Sequence, residues 1–230
     1  MKRYAVPSLA NLRDLGGYPT LEGGYTQYGR ILRSDCPKNF DDTDIKAIEK
    51  LHIETVIDFR LQKEIDSAPS YFQNHPSVSY HNLEFKVGHE PPKTEENLSE
   101  IYLEMMEEKA TMRSIFETIA DANGPVLYHC AVGKDRTGIV TAVILMLCHV
   151  PKEDIIADYQ LSATYLHKEI KAFHEAFPHI EKWRGGSKPE YMQRCLELFY
   201  DKYHTVENYL DSLELKENTI EKIRAKLLGV

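Results

Sequence analysis

The chain has 230 residues, 42% of them hydrophobic, and its 28 Lys and Arg against 36 Asp and Glu give a formal net charge of −8. A chain of this length buries enough apolar surface to fold without disulfides or a structural metal, so we expect residues 1–230 to form a single domain. The acidic balance argues against a nucleic-acid partner, because that affinity comes largely from Lys and Arg contacts to phosphates.

The first half of the chain predicts short strands that alternate with helices. Residues 13–34 are rich in Gly, Tyr and Thr, a composition that favours short strands and hairpins. Acidic residues at 41–44 precede Ile45, Ile48 and Leu51 at helical spacing and predict a helix. A β-branched strand follows at 55–60 and a weaker one at 78–83. From 98 to 122 the apolar positions Ile101, Met105, Ile115 and Ile119 lie among charges at helical spacing and predict helical structure.

The second half begins with a short buried strand at 126–129, which runs into a glycine-containing loop and then an apolar helix that starts near Thr137. From Lys152 onward nearly every segment is amphipathic helix, with breaks near Pro178, Gly185 and Pro189. The predicted fold class is therefore α/β, with a central, mostly parallel sheet flanked by helices and a helical C-terminal part.

The N-terminus and the four cysteines favour a cytoplasmic location. No apolar run precedes Arg13 and Asp14, as a signal peptide would require, although signal-independent secretion stays open. The longest apolar stretch, residues 139–147, is shorter than the roughly 18 residues of a membrane span. The cysteines show no Cys-x-x-Cys spacing, which is typical of free thiols in a reducing compartment.

The loop after the strand at 126–129 has the pattern of a phosphate site. It reads His129-Cys130-Ala131-Val132-Gly133-Lys134-Asp135-Arg136-Thr137-Gly138. A turn from strand through loop to helix directs backbone N–H groups and the positive helix end at one point, so residues 130–136 are predicted to bind phosphate. A Walker nucleotide loop is excluded, because Lys134 is followed by Asp135 rather than by Ser or Thr.

Two side chains of this loop predict phosphoryl transfer. The planar fork of Arg136 can bind two phosphoryl oxygens, and Cys130 lies beneath the phosphorus as a thiolate nucleophile. This chemistry proceeds through a phosphocysteine intermediate, releases inorganic phosphate and uses no metal or cofactor. Because the thiolate and Asp135 offset the charges of Lys134 and Arg136, anion affinity must come largely from loop amides and the helix terminus.

The loop resembles the signature His-Cys-x-x-Gly-Lys-x-Arg-[Ser/Thr]-Gly of the cysteine-dependent protein tyrosine phosphatase superfamily. Segments at 11–17, 31–34, 56–60, 154–159 and 226–229 resemble its bacterial, lipid phosphatase-like branch, so the likeness covers nearly the whole chain. The resemblance implies a tyrosine phosphatase-like fold and activity on phosphotyrosine in proteins. It also implies phosphoserine, phosphothreonine or phosphoinositides as further substrates.

The general acid has three candidates. Many superfamily members carry it as an Asp on a separate mobile loop, but this chain has no Asp between Asp66 and Asp121. The equivalent segment offers Glu84 and Glu90, and the loop itself offers Asp135. We favour Asp135, since an acid beside the bound phosphoryl group needs no loop closure to reach the leaving oxygen. The alternative is that Asp135 only caps the following helix.

Several residues near these motifs have structural interpretations. His129 is expected to orient the loop through a hydrogen bond, and Thr137 either caps the helix or steadies the thiolate. Lys134 is either a solvated charge or a contact for highly anionic substrates. Arg60 and Glu64, four residues apart, predict an ordinary ion pair.

Asn11, Arg13 and Asp14 are expected to brace the site from the N-terminal segment. The other three thiols are expected in the core or as bystanders; they are Cys36, Cys148 and Cys195.

Two other functions can use a cysteine loop. One is a catalytically silent module that binds a phosphorylated ligand, and the other is a sulfurtransferase that carries a persulfide on Cys130. The intact run from Gly133 to Gly138 favours the phosphatase over both.

Overall fold

The computed structural model describes residues 3–88 and 92–229, which form a five-stranded sheet surrounded by helices. In chain order the elements are β1 (Arg13–Asp14), β2 (Ile31–Ser34), α1 (Asp42–Glu49), β3 (Thr55–Asp58), α2 (Gln62–Ser67), β4 (Ser79–Asn82), α3 (Leu98–Met106), α4 (Lys109–Asp121), β5 (Val126–His129), α5 (Asp135–Leu147), α6 (Lys152–Tyr165), α7 (His167–Ala176), α8 (Pro189–Tyr203), α9 (Val206–Asp211) and α10 (Thr219–Leu228).

The sheet has the strand order β1-β2-β5-β3-β4, in which β1 is antiparallel and the other neighbours are parallel. The predicted α/β class with a mostly parallel sheet is therefore confirmed. In the central three strands Ser34, His129 and Asp58 lie side by side at the carboxyl ends. The loops that follow β2, β5 and β3 consequently meet at one edge of the sheet, where ligands of such folds bind.

Helix α5 runs through the centre of the molecule. Every residue from Thr137 to Leu147 is buried, between β2 and β5 on one side and α3, α6 and α9 on the other. This burial explains the apolar run at 139–147, since a helix covered on all sides needs no polar face. No helix in the described part of the chain is long and apolar enough to cross a membrane.

The helical structure predicted at 98–122 is confirmed, and it is divided into two helices, α3 and α4. Glu108 leaves helical geometry (φ −69°, ψ 64°), and its carboxylate accepts backbone N–H groups of Lys86 at 3.0 Å and Val87 at 2.7 Å. The neighbouring Glu107 accepts a 2.5 Å hydrogen bond from Tyr203 of α8. Contacts with distant segments therefore outweigh the local helical periodicity.

Most other predicted elements are present with shifted ends. The helix at 41–51 begins with a capping box formed by Asp41 and Asp44. The strand predicted at 55–60 ends at Asp58, and α5 begins two residues before Thr137. The C-terminal region is helical, and Pro189 occupies the first turn of α8, where proline is tolerated.

Candidate active site

The segment at residues 130–136, called the signature loop below, follows β5 and includes the first two residues of α5. At Gly133 the backbone has φ +67°, a conformation that favours glycine. A Cβ atom there would lie 2.3 Å from the carbonyl oxygen of Ser34 and 2.6 Å from the nitrogen of Asp35. The loop therefore packs directly on the backbone after β2, and a side chain at this position would push it away.

The carbonyl groups of the signature loop are held from one side. Asn11 donates through Nδ2 to the carbonyl oxygens of Val132 and Gly133, both at 2.9 Å. Arg33 donates a hydrogen bond to the carbonyl oxygen of Gly133 at 2.8 Å. The N–H of Gly138 donates to the carbonyl oxygen of Lys134 at 2.7 Å. Because C=O and N–H of a peptide unit point in opposite directions, the next N–H groups face the other side. This arrangement, with the α5 N-terminus, suits an anion.

A buried ion network fixes these two donors. The carboxylate of Asp158 in α6 accepts hydrogen bonds from Nε of Arg13 at 2.8 Å and from Nη1 of Arg33 at 2.5 Å. The Tyr18 hydroxyl donates to the same carboxylate at 2.8 Å. Burial opposes the charge of Asp158, but the two guanidinium groups hold its pKa well below its usual range. Arg13 also donates to Oδ1 of Asn11 at 2.5 Å. The predicted bracing by Asn11 and Arg13 is confirmed.

Arg33 and Asp158 were not predicted to have a role at the site. The available signal was an arginine that follows the apolar pair Ile31-Leu32 in a short strand, since a cation in a buried strand must find a buried partner. Asp14 braces the N-terminal segment itself, because its carboxylate accepts the N–H groups of Gly16 and Gly29, both at 2.8 Å.

Arg136 is held in place by Glu64 through a bidentate ion pair. Its Nη1 and Nη2 atoms lie 2.7 and 2.9 Å from the two carboxylate oxygens, and both side chains are largely buried. Burial alone would lower the pKa of Arg136, but Glu64 and the nearby Cys130 raise it above its usual range. Glu64 also accepts the N–H of Leu61 at 2.9 Å, which fixes it at the start of α2. The guanidinium is therefore charged and fixed in orientation.

The predicted ion pair between Arg60 and Glu64 is wrong. Arg60 instead pairs with Asp58, with Nη2 at 2.7 Å from Oδ2, and Tyr80 donates to the same carboxylate at 2.7 Å. Asp58 ends β3 in the buried sheet edge and needs a cation there, whereas Glu64 has turned toward Arg136. The i,i+4 rule fails because both partners have stronger tertiary contacts.

Cys130 lies directly after β5, and its side chain is buried. The buried His129 makes the expected structural contact, because its Nδ1 lies 3.1 Å from the carbonyl oxygen of Cys130. Burial holds the pKa of His129 below its usual range, so its ring is neutral at pH 7. Thr137 is inside α5 and does not cap it, and its buried Oγ1 has no hydrogen-bond partner among the described residues.

The carboxylate of Asp135 is held by Tyr102 of α3. Tyr102 donates a short hydrogen bond to Oδ1, and its hydroxyl lies 2.6 Å from that of Tyr159. Burial and the carboxylate raise the pKa of Tyr102 well above its usual range, so it acts as the donor. Asp135 is the first residue of α5, and its side chain bonds to this tyrosine rather than capping the helix. Neither tyrosine was predicted at the site, because each has the sequence pattern of an ordinary core residue.

Lys134 is buried rather than solvated. Its Nζ donates to the carbonyl of Gly186 at 2.8 Å and lies 3.4 Å from Oδ1 of Asp135. The interpretation of Lys134 as a solvated charge is therefore wrong. Its ammonium group instead contacts both the signature loop, at Asp135, and the segment that follows α7, at Gly186.

Glu84, the other described acid candidate, has no hydrogen bond or ion pair with the signature loop. Glu84 follows β4, and its described contact is a backbone one, since its carbonyl accepts a 3.3 Å bond from Thr111. Glu90 lies outside the described residues. Among the described candidates, Asp135 is the carboxylate that the structure brings beside Cys130 and Arg136.

The remaining thiols are free and buried, as predicted. Burial raises the pKa of Cys36 to about 11 and those of Cys148 and Cys195 to about 12, so all three are protonated at neutral pH. Within the described ranges no group of three or more His, Cys, Asp or Glu side chains is arranged to hold a metal ion.

Comparison with known proteins assigns the chain to a family. The sequence pattern of the tyrosine phosphatase family matches residues 4–229. A tyrosine-protein phosphatase of Nostoc commune is 27% identical over 205 residues, which cover 81% of this chain and 70% of that protein. The triple specificity protein phosphatase PtpB of Mycobacterium tuberculosis is 22% identical over 277 residues, which cover 97% of this chain and 98% of that protein. Among solved structures, TpbA of P. aeruginosa is 17% identical with a TM-score of 0.39, covering 76% of this chain and 95% of that one.

The family match takes in the signature loop and every element that braces it, from Asn11 to Asp158. The chain therefore belongs to the tyrosine phosphatase family and is a phosphatase.

Proposed function

We propose that this phosphatase hydrolyses phosphate monoesters of phenols, above all phosphotyrosine in proteins, through a phosphocysteine intermediate. The observation that carries the proposal is the arrangement of one loop. Cys130 begins it, Arg136 ends it with a guanidinium fixed by Glu64, and the loop carbonyls are turned outward by Asn11. A phosphoryl group held by the amides of residues 131–136 and by Arg136 would lie above the Cys130 sulfur.

In the first step the Cys130 thiolate attacks phosphorus and forms an S–P bond while the P–O bond to the leaving group breaks. Arg136 stabilises the charge on the equatorial oxygens, and Asp135 in its protonated form gives its proton to the leaving oxygen. The products of this step are the free phenol and phosphocysteine. His129 supports the loop through its contact with the Cys130 carbonyl and takes no proton.

In the second step the Asp135 carboxylate removes a proton from water, which attacks phosphorus and breaks the S–P bond. Inorganic phosphate leaves, and both the Cys130 thiolate and the protonated Asp135 are restored. Tyr102 supports this cycle as a positioning residue, because its hydroxyl holds one oxygen of Asp135 and leaves the other for the substrate. The buried hydroxyl of Thr137, unpartnered among the described residues, is available to the thiolate.

The preference for phenols follows from the leaving group. A phenol has a pKa of about 10 and needs less help from an acid than a serine alkoxide does. Phosphotyrosine should therefore be hydrolysed faster than phosphoserine or phosphothreonine. Phosphoinositides are tested in the same panel, because the resemblance of the signature loop and flanking segments implies them as further substrates.

The test is hydrolysis of a phosphotyrosine peptide by wild-type protein and by Cys130→Ser. The variant should lose turnover yet still bind the product phosphate, since the loop amides and Arg136 remain. Cys195→Ser serves as the matched control, because that buried thiol lies in α8 and is protonated. Turnover retained by Cys130→Ser would refute the proposal.

The acid assignment is tested separately by comparing Asp135→Asn with Glu84→Gln and Glu90→Gln. Asp135→Asn should abolish the pH dependence that requires a protonated acid and slow phenyl phosphate hydrolysis. An unchanged rate in Asp135→Asn, together with a slow Glu84 or Glu90 variant, would move the assignment to that glutamate.

We also propose that residues 1–230 act as one domain. The support is a shared core that includes residues from Leu15 to Leu227.

The four free thiols support a reducing location such as the cytoplasm.

A further inference from the structure

A cavity of about 770 Å³ adjoins the signature loop on the side of Asp135. Lys134 and Asp135 form one wall, α3 contributes Ile101 and Met105, and α7 contributes Phe173 on the opposite side. The walls away from the loop are mainly apolar. The Cys130 sulfur and Arg136 are not among its lining residues, so the cavity lies beside the place where the phosphoryl group would bind.

We infer that this cavity is the binding site for the leaving group, and that it selects phosphate esters of extended aromatic alcohols. The inference rests on the proposed function. A general acid must lie within hydrogen-bond reach of the oxygen that it protonates, so the alcohol must occupy space next to Asp135. The cavity between α3 and α7 is space of that kind, and Tyr102, which holds Asp135, also lines it.

The size of the cavity favours a leaving group larger than one phenol ring. Cavities of roughly 300–1,000 Å³ hold ligands of several rings, and this cavity falls in the upper part of that range. A phosphotyrosine ring would fill the part next to Asp135. The part lined by Ile101, Ile170 and Phe173 would then accept a second apolar group, such as a further ring or an apolar residue next to the phosphotyrosine.

The charges of the wall argue against a polyphosphorylated sugar headgroup. The charged residues that line it are Lys134, Asp135, Glu169, Glu181 and Arg184. Both cations already have partners, because Lys134 donates to the Gly186 carbonyl at 2.8 Å and Arg184 lies 2.7 Å from Glu181. The described wall therefore offers no unpaired Lys or Arg to bind additional phosphate groups.

Phe173 and Phe177 provide a matched pair of variants. They are 36% and 46% exposed, and their rings pack together at 5.4 Å, but only Phe173 is among the residues that line the cavity. Because both are partly exposed, their replacement by Ala should leave the fold intact. The Phe177→Ala variant also reports any disturbance of the end of α7. Ile101→Ala tests the opposite wall independently.

The experiment measures kcat/KM for phenyl phosphate, biphenyl-4-yl phosphate and a short-chain phosphatidylinositol phosphate. The two phenols have similar acidity, so a difference between their esters reports binding in the cavity. Wild-type protein should prefer the biphenyl ester by about tenfold. Phe173→Ala and Ile101→Ala should each remove most of that preference by lowering kcat/KM for the biphenyl ester more than for phenyl phosphate, whereas Phe177→Ala should keep the preference.

Equal kcat/KM for the two aryl esters, or a preference that survives both cavity variants, would overturn the cavity assignment and leave the phosphatase mechanism standing. Faster turnover of the phosphatidylinositol phosphate would overturn it as well. Failure to hydrolyse any of the esters would instead overturn the proposed function together with the inference.

Discussion

Removal of the Tyr102 hydroxyl tests how Asp135 is held. Tyr102 is fully buried, and its hydroxyl joins Asp135 to Tyr159. A hydrogen bond to a charged group contributes about 1.5–3 kcal/mol, and about 1.4 kcal/mol corresponds to a tenfold change in rate. Since Asp135 is partly exposed and water can replace part of the lost contact, we expect the lower end of that range. Tyr102→Phe should therefore slow phenyl phosphate hydrolysis by about tenfold.

The assay compares phenyl phosphate with 4-nitrophenyl phosphate, whose phenol is much more acidic and needs little proton donation. A positioning role predicts that Tyr102→Phe slows the second ester much less than the first. In the Asp135→Asn background, the Tyr102→Phe change should have no further effect, because the group that it positions is already gone. Tyr209→Phe is the control, since it removes another buried hydroxyl, bonded at 2.8 Å to the carbonyl of Met106.

Two results would refute this reasoning. One is an equal loss of rate with both esters, which would indicate general damage to the site. The other is a further tenfold loss when Tyr102→Phe is added to Asp135→Asn, which would show that the two residues act independently.

Three further predictions concern the parts that hold the loop. Glu64→Gln breaks the bidentate contact with Arg136 and should lower kcat/KM for phenyl phosphate by about tenfold or more. Glu214→Gln, which breaks an exposed ion pair of the same N–O distance, should leave kcat/KM unchanged. Equal effects of the two variants would contradict the role assigned to Glu64. Gly133→Ala should displace the loop and abolish phosphate binding as measured by calorimetry, and a variant that still binds phosphate would show that the close approach is not required. Asp158→Asn should lower the free energy of unfolding at pH 7 by about 3–5 kcal/mol in urea titrations. Because the pKa of Asp158 is lowered in the folded state, the loss of unfolding free energy should be full at pH values above the ordinary pKa of 3.8 and should shrink as the pH falls further. A loss that does not depend on pH would be inconsistent with an ionised Asp158.

The part of the site encoded in consecutive residues could be predicted from the sequence. The strand at 126–129, the loop from Cys130 to Arg136 and the following helix occupy one short segment, so the pattern carried both the local structure and its chemistry. The alternation of strands and helices likewise predicted the mostly parallel sheet.

The supporting contacts join residues far apart in the chain and left no local pattern. Arg136 and Glu64 are 72 positions apart in the chain. Tyr102 and Asp135 are separated by 33 positions, and Asn11 and Gly133 by 122 positions. Such pairs are decided by which elements the folded sheet brings together.

The same physical reason accounts for the places where the structure departs from local spacing. Arg60 pairs with the buried carboxylate of Asp58 rather than with Glu64. The helical region at 98–122 is divided where Glu108 accepts backbone N–H groups of a neighbouring segment. Local spacing predicts what a segment prefers by itself, whereas a buried charge takes the partner that the whole fold supplies.

Trapping of the covalent intermediate tests the central claim most directly. Wild-type protein mixed with 4-nitrophenyl phosphate, quenched in acid within the first turnover and digested should carry one phosphoryl group on the peptide that contains Cys130. Asp135→Asn should accumulate more of this species, because water is no longer activated to hydrolyse it, and Cys130→Ser should show none. Turnover without a phosphoryl group on Cys130, or with the label on another residue, would contradict the mechanism.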